Sequence, residues 1–303
     1  MLEFRKLSKS YAGTNALDEM TFSVPSGEVF GFLGPNGAGK TTAMRSIFGL
    51  IELDSGQVLY RGAQIGREQL QRFGYMPEER GLYPKMTVLD HLTYLARLHE
   101  VPARAAKERA LELVEKLQIS GGPGAKIESL SLGNSQRTQV AAALIHQPEV
   151  LILDEPFSSL DPLSIEIVKG MLEDYAQEGA TVLFSSHQLE LVEGFCKSVA
   201  IANQGRIVLA GAVEALTESQ TRLVVRVRED PEGSFLEGLE GVSRRGSDSN
   251  GQRIEVQDDG AARRALEAAM AAGTVLRYDH VRRSLVEVFR EAVESTQATG
   301  AGD

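Results

Sequence analysis

Residues 34–42 read Gly-Pro-Asn-Gly-Ala-Gly-Lys-Thr-Thr, and this order of residue types is suited to holding phosphate. Gly34, Gly37 and Gly39 let the backbone bend so that successive N–H groups point inward at the start of a helix, where the helix dipole also favours anions. Lys40 adds a mobile positive charge for the outer phosphates, and the Thr41 hydroxyl is placed to ligate Mg²⁺. Asn36 and Thr42 complete the candidate contact. With glycine at about 7% of ordinary sequence, chance would produce the pattern in roughly one chain per hundred of this length. The flanks agree: Val29–Leu33 suits a buried strand, and Thr41–Phe48 suits a helix without interior Gly or Pro.

A phosphate loop alone does not separate a kinase from a GTPase or a transport ATPase. The run Val150-Leu151-Ile152-Leu153-Asp154-Glu155 narrows the choice, because an apolar strand ending in two acids delivers carboxylates to the edge of a parallel sheet where ligands bind. Asp154 is then placed to hold the metal, and Glu155 to polarise an attacking water as general base.

Between these segments lies Leu130-Ser131-Leu132-Gly133-Asn134-Ser135-Gln136-Arg137, ahead of a helix-like run. It resembles the Leu-Ser-Gly-Gly-Gln signature of ATP-binding-cassette (ABC) ATPases, at the family's distance from Asp154 and Glu155. Ser131 and Gly133 match. Leu132 replaces a glycine and Asn134 a glutamine. The serine hydroxyl and the free N–H groups of a helix start are what a phosphate needs. The resemblance assigns three more residues. Tyr11 is similar to the aromatic that stacks on adenine, Asp161 lies in a run similar to the loop that crosses between two such ATPases, and His187 resembles the histidine that contacts the γ-phosphate.

Tyr75-Met76-Pro77-Glu78-Glu79-Arg80 stands where the family carries Tyr-x-Pro-Gln. Glu78 therefore replaces a glutamine that contacts Mg²⁺ and water. An ionised Glu accepts hydrogen bonds but donates none, and adds negative charge beside phosphate. It remains a metal ligand and the expected hinge towards a membrane partner, with Arg80 offsetting its charge. The Pro-Glu-Glu-Arg-Gly and Leu-Ser-Leu-Gly-Asn forms resemble the ATPase subunits of ABC-2-type exporters, including the sodium and drug efflux groups.

The resemblance implies an α/β fold: a P-loop NTPase core of the ABC ATPase type with a helical subdomain at about 87–146, together covering 1–212. Thr87 and Asp90 make a capping box for a helix expected to carry Leu89, Leu92, Leu95 and Leu98 on one side. A second helix is expected over Ala103–Leu117, and short strands are expected around the phosphate loop. Residues 213–303 read as a small α+β accessory domain. Its expected strands are Leu223–Val227 and Ile254–Val256, and its expected helices are Ala261–Ala272 and Ser284–Val293. The stretch Arg244–Gln252 reads as polar connection, and the tail after about 295 as disordered.

The 303 residues, 42% hydrophobic and 24% charged, can bury a full core. A net charge of −10 argues against broad nucleic-acid binding, which needs a basic footprint. The single cysteine, Cys196, excludes an internal disulfide and fits a reducing compartment. No apolar stretch approaches the roughly 20 residues of a spanning helix, and no signal-like N-terminus is present. The expected protein is an ATP- and Mg²⁺-dependent ATPase, peripheral on the cytoplasmic face of the membrane. Its expected partners are a second copy of itself, in a head-to-tail dimer, and ABC-2-type permease subunits. A non-transport ABC ATPase acting on a partner such as the ribosome is the alternative, although such chains usually carry two cassettes and this one carries one.

Overall fold

The computed structural model describes residues 1–79, 81–218 and 222–300, with the backbone alone from 294 on. Arg80, expected to offset Glu78, lies outside the described residues. Two compact units emerge, Met1–Val213 with Phe289–Asp303, and Glu214–Val288.

The first unit opens with a long hairpin, β1 (Leu2–Tyr11) and β2 (Thr14–Val24), in place of short strands. Alternating burial from Met20 through Phe22 to Val24, with Leu17 also inward across a register shift, explains why β2 persists. After β3 (Val29–Leu33) and α1 (Lys40–Ile47) come β4 (Ser55–Tyr60), β5 (Ala63–Gln64), the short α2 (Arg67–Leu70) and β6 (Phe73–Met76). The helical insert holds α3 (Val88–Leu98), α4 (Ala103–Lys116) and α5 (Leu132–Leu144), followed by β7 (Val150–Leu153), α6 (Pro162–Gln177), β8 (Thr181–Ser186), β9 (Ser198–Asn203) and β10 (Arg206–Ala212).

Strands β2, β1, β4 and β5 form one antiparallel sheet. A second sheet runs β10-β9-β3-β8-β7-β6, parallel throughout except for β10 at its edge. The phenylalanine stack Phe4–Phe22–Phe32 and the buried Met20, Met44 and Ile152 share one core cluster with residues of both sheets. Strands β3, β7 and β8 are buried along their whole length, as parallel strands covered on both faces must be.

Thr87 caps α3, accepting from the Asp90 N–H at 3.1 Å, while its hydroxyl donates to the Asp90 carboxylate at 2.7 Å. The buried stripe of α3 is Val88, His91, Leu92 and Ala96. Leu98, expected on that side, is the last residue of the helix and is exposed. Among the described residues no helix is long and apolar enough to cross a membrane.

After β10 come α7 (Val213–Thr217), whose Val213 belongs to the first unit, the second unit's β11 (Arg222–Val227), β12 (Val242–Asp248), β13 (Gly251–Val256), α8 (Asp259–Ala272) and β14 (Val275–His280), and α9 (Leu285–Gly300), which belongs to the first unit from Phe289 on. The sheet order is β12-β13-β11-β14, and Ala261, Ala265 and Ala269 of α8 pack on Leu223, Val225 and Ile254. Two strands depart from the sequence reading. β12 occupies the supposed polar connection, and β14 had no expected counterpart. Helix α9 also continues past 295, where disorder was expected, since no Gly or Pro interrupts it before Gly300.

Candidate nucleotide site

Between β3 and α1, residues 34–39 curl over the helix start, and Lys40 begins α1. Gly34 (φ 145°) and Gly39 (φ 94°) are crowded as well as left-handed. An added Cβ would lie 2.2 Å from the Ala202 carbonyl oxygen at Gly34, and 2.4 Å from that of Ala16 at Gly39. Gly37 (φ 81°) faces open space, so its need for glycine is conformational alone.

This loop forms one wall of a cleft of about 340 Å³ lined by Tyr11, Asn36, Gly37, Gly39, Lys40, Thr41, Thr42, Glu78 and Glu155. The structure thus brings nine of the sequence-predicted residues together. Lys40 is 6% exposed, and its Nζ donates to the carbonyls of Gly34 (2.7 Å) and Pro35 (3.2 Å). It also stands 3.8 Å from Glu155 Oε1. Burial lowers its pKa, against the opposing pull of Glu155 and Asp154. Tyr11 is 46% exposed at the cleft, with Lys9 Nζ 5.5 Å from its ring centre.

The two acids sit where β7 ends beside β8. Because Leu153 pairs with Phe184, the next residues, Asp154 and Ser185, come side by side. Ser185 Oγ donates to Asp154 Oδ1 at 2.6 Å and accepts from the Glu155 N–H at 2.9 Å. Asp154 is fully buried, and its Oδ2 has no hydrogen-bond partner among the described residues. Glu155 takes a left-handed backbone, φ 51°, unusual for a non-glycine residue. Its N–H is held by Ser185 and its carbonyl accepts from Gln136 Nε2 at 2.9 Å, so both sides of the strained residue are fixed. His187 Nδ1 lies 3.0 Å from Glu155 Oε2. Burial raises the Glu155 pKa, while the His187 hydrogen bond and the charge of Lys40 oppose it. Ser185 and Gln136 had not been singled out in the sequence. The only hint was a hydroxyl ending an apolar strand and an amide one turn into α5.

Ser131 and Gly133 do not line this cleft. Ser131 caps α5, with its hydroxyl accepting from the Asn134 backbone N–H (3.3 Å) and side-chain amide (2.9 Å). Asn134 is buried and ties the turn together: its Oδ1 accepts from the Ser120 N–H (2.8 Å) and Arg137 Nη2 (2.9 Å). Asp161, also outside the cleft, caps α6 by accepting from the Ser164 N–H at 2.9 Å. These hydrogen bonds hold its carboxyl below the usual carboxylate range. No group of three or more His, Cys, Asp or Glu side chains suited to a metal occurs among the described residues.

A glycine-rich loop feeding a helix that starts with a lysine, and a buried and a half-buried acid at the end of a parallel strand, define a P-loop nucleotide-binding fold with the equipment for hydrolysis. The match to known families is more specific. Residues 17–158 match the ABC transporter family, and residues 211–293 match the C-terminal domain described as ATP-binding protein DrrA1-3-like. An ABC transporter ATP-binding protein of Bacillus subtilis is 34% identical over 293 residues, covering 97% of this chain and 98% of its own length. A Nod factor export ATP-binding protein of Burkholderia lata is 31% identical over 293 residues, covering 95% of each chain. A bacterial ABC transporter cassette solved as a dimer has a TM-score of 0.65 at 22% identity, covering 70% of this chain and 99% of that one, which shows the fold. The chain belongs to the ATP-binding proteins of ABC transporters, a family of ATPases.

Proposed function

We propose that two copies of this chain close head to tail around two ATP molecules and drive a solute outward through separate membrane subunits of the ABC-2 type. The observation carrying this reading is the separation, in one chain, of two elements whose chemistry suits anions. The cleft holds Lys40, Thr41 and Glu155, whereas the start of α5, with Ser131 and Leu132 exposed, lies outside it. An exposed helix start with unpaired N–H groups attracts anions. Brought against the cleft of a second copy, Ser131 and Gly133 would contact the outer phosphate from the far side, and Asp161 would lie at the crossing.

Within each cleft, the loop N–H groups and Lys40 bind the phosphates, Tyr11 and the loop residues Asn36 and Thr42 complete the contact, and Tyr11 offers a ring to adenine. Thr41, Asp154 and Glu78 would hold Mg²⁺. The unpartnered Asp154 Oδ2 fits an oxygen of the metal's water shell, and Mg²⁺ ordinarily takes only one or two carboxylates beside phosphate. Bound there, the ion would neutralise charge on the phosphates. Glu155 accepts a proton from the attacking water, and His187 orients that carboxylate while its ring meets the γ-phosphate. Loss of that phosphate removes the bridge between the copies, and the loop around Glu78 passes the change to the membrane subunits.

Export draws support from the Nod factor exporter's printed name, and the ABC-2 type rests on the resemblance of the Pro-Glu-Glu-Arg-Gly and Leu-Ser-Leu-Gly-Asn forms. A peripheral position on the cytoplasmic face of the membrane follows from the same reading. The test is affinity isolation of Glu155→Gln protein from native membranes with ATP and Mg²⁺, with identification of what accompanies it. A multi-spanning permease is the expected companion. Ribosomes or DNA in its place would overturn the transport reading.

A further inference from the structure

The sheet of the second unit has two edges, β12 and β14. At one edge β12 is broken by a register shift between Arg244 and Gly246, and Arg245 pairs with Glu255. Bulges and charge of this kind blunt an edge. At the other edge β14 also shifts register, with Leu276 as the extra residue between Val275 and Arg277, but it pairs regularly with β11 from Arg277 to His280. It has no further strand beside it among the described residues, and Leu276 is 46% exposed.

The ladder fixes which β14 groups face outward. The Val281 N–H donates to the Arg222 carbonyl at 2.9 Å, so alternation makes Asp279 and Arg277 the residues bonded to β11. Tyr278 and His280 therefore present their N–H and C=O to the open side. Tyr278 packs towards α8, its hydroxyl donating to the Ala262 carbonyl, which puts Arg277 and Asp279 on the opposite face. On that face Arg277 stands directly across from Arg226, a like-charged pair, and its own Asp279 is 3.5 Å away.

We propose that β14 pairs antiparallel with β14 of a second copy, with the two-fold axis at Tyr278. Only pairings that match outward-facing residues can form hydrogen bonds, so the register moves in steps of two. Centred on Tyr278, each Tyr278 bonds with the partner's Tyr278, and Arg277 lies opposite the partner's Asp279, twice by symmetry. The neighbouring allowed registers place Arg277 against the partner's Arg277, or Asp279 against the partner's Asp279. Charge therefore selects one register, and the added carboxylate relieves the Arg226–Arg277 opposition. The pairing needs no nucleotide. It would keep two cassettes at high effective concentration through the cycle.

Full-length Arg277→Cys and Asp279→Cys chains, purified separately, mixed and mildly oxidised, test the register; the native Cys196 is buried and does not compete. We expect a disulfide-linked dimer in the mixture, at least about tenfold more than either variant gives alone, since side chains opposite in a non-hydrogen-bonded pair are closest. The same yield is expected in a Lys40→Ala background, which separates this contact from the nucleotide sandwich. In sedimentation, Arg277→Asp or Asp279→Arg should each raise the dimer dissociation constant about tenfold, and the double exchange should restore it. Absence of the mixed disulfide, equal cross-linking of Arg277→Cys alone, or no recovery in the double exchange would each overturn the proposal.

Discussion

His187 Nδ1 stands 3.0 Å from Glu155 Oε2 while Lys40 Nζ stands 3.8 Å from the other oxygen of the same carboxylate. Two cationic or cationisable groups thus flank an acid whose burial alone would favour its protonated form. In the proposed mechanism, the balance sets the pH at which Glu155 can act as a base.

His187→Ala removes a hydrogen bond that lowers the Glu155 pKa. The carboxyl then titrates at still higher pH, and since the base must be ionised, the acid limb of the kcat profile moves upward. We expect turnover to fall more than nucleotide affinity, with part of the loss recovered by raising the pH. Equal losses in kcat and binding, with an unmoved profile, would instead assign His187 a structural role.

Glu155→Gln should leave nucleotide binding intact and slow hydrolysis by about 10²–10⁴-fold, the usual contribution of a positioned base. Light scattering should show an ATP-dependent gain in dimer. Stability gives a second readout. The folded Glu155 has a raised pKa, so folding favours its protonated form and the ionised form is penalised at neutral pH. The neutral amide escapes that penalty. The nucleotide-free variant should therefore melt above the parent at neutral pH, and the difference should shrink as pH falls through the Glu155 pKa.

The phosphate loop and the acidic strand were legible because each is contiguous and its chemistry demands particular residues: Gly34 to Thr42, then Asp154 and Glu155. Ser185 and Gln136 were not, since their roles arise only when β8 lies beside β7 and α5 meets the turn after it. In the second unit, β11 and β13 announced themselves through Leu223, Val225, Ile254 and Val256, which face α8. The strands β12 and β14 are largely exposed edges, whose polar residues give no apolar alternation to read. Their place in the sheet is set by partners distant in sequence.

Asn134 departs from the family's glutamine, and its short side chain serves three partners at once: Ser131, Ser120 and Arg137. Asn134→Ala would leave the Ser120 N–H and one Arg137 donor unpaired beside a buried turn. We expect a loss of about 2–4 kcal/mol in denaturant unfolding, the cost of stranding two donors. Asn134→Gln adds a methylene to a tight site and should cost about 1–3 kcal/mol. A neutral effect of both changes would show that the turn is held without this side chain.

Two of the loop glycines, Gly34 and Gly37, separate by what surrounds them. Gly37→Ala meets open space and bears only the strain of a left-handed backbone, about 1 kcal/mol. Gly34→Ala adds that strain to a Cβ placed 2.2 Å from the Ala202 carbonyl oxygen, and a backbone atom in a core strand cannot yield cheaply. Its cost should reach about 3 kcal/mol or more, as overpacking and strain combine. Thermal unfolding without nucleotide reads the difference directly, because neither residue then has a phosphate to contact. If Gly37→Ala were the more damaging of the two, the contact between the loop and β9 would not be what requires glycine at 34.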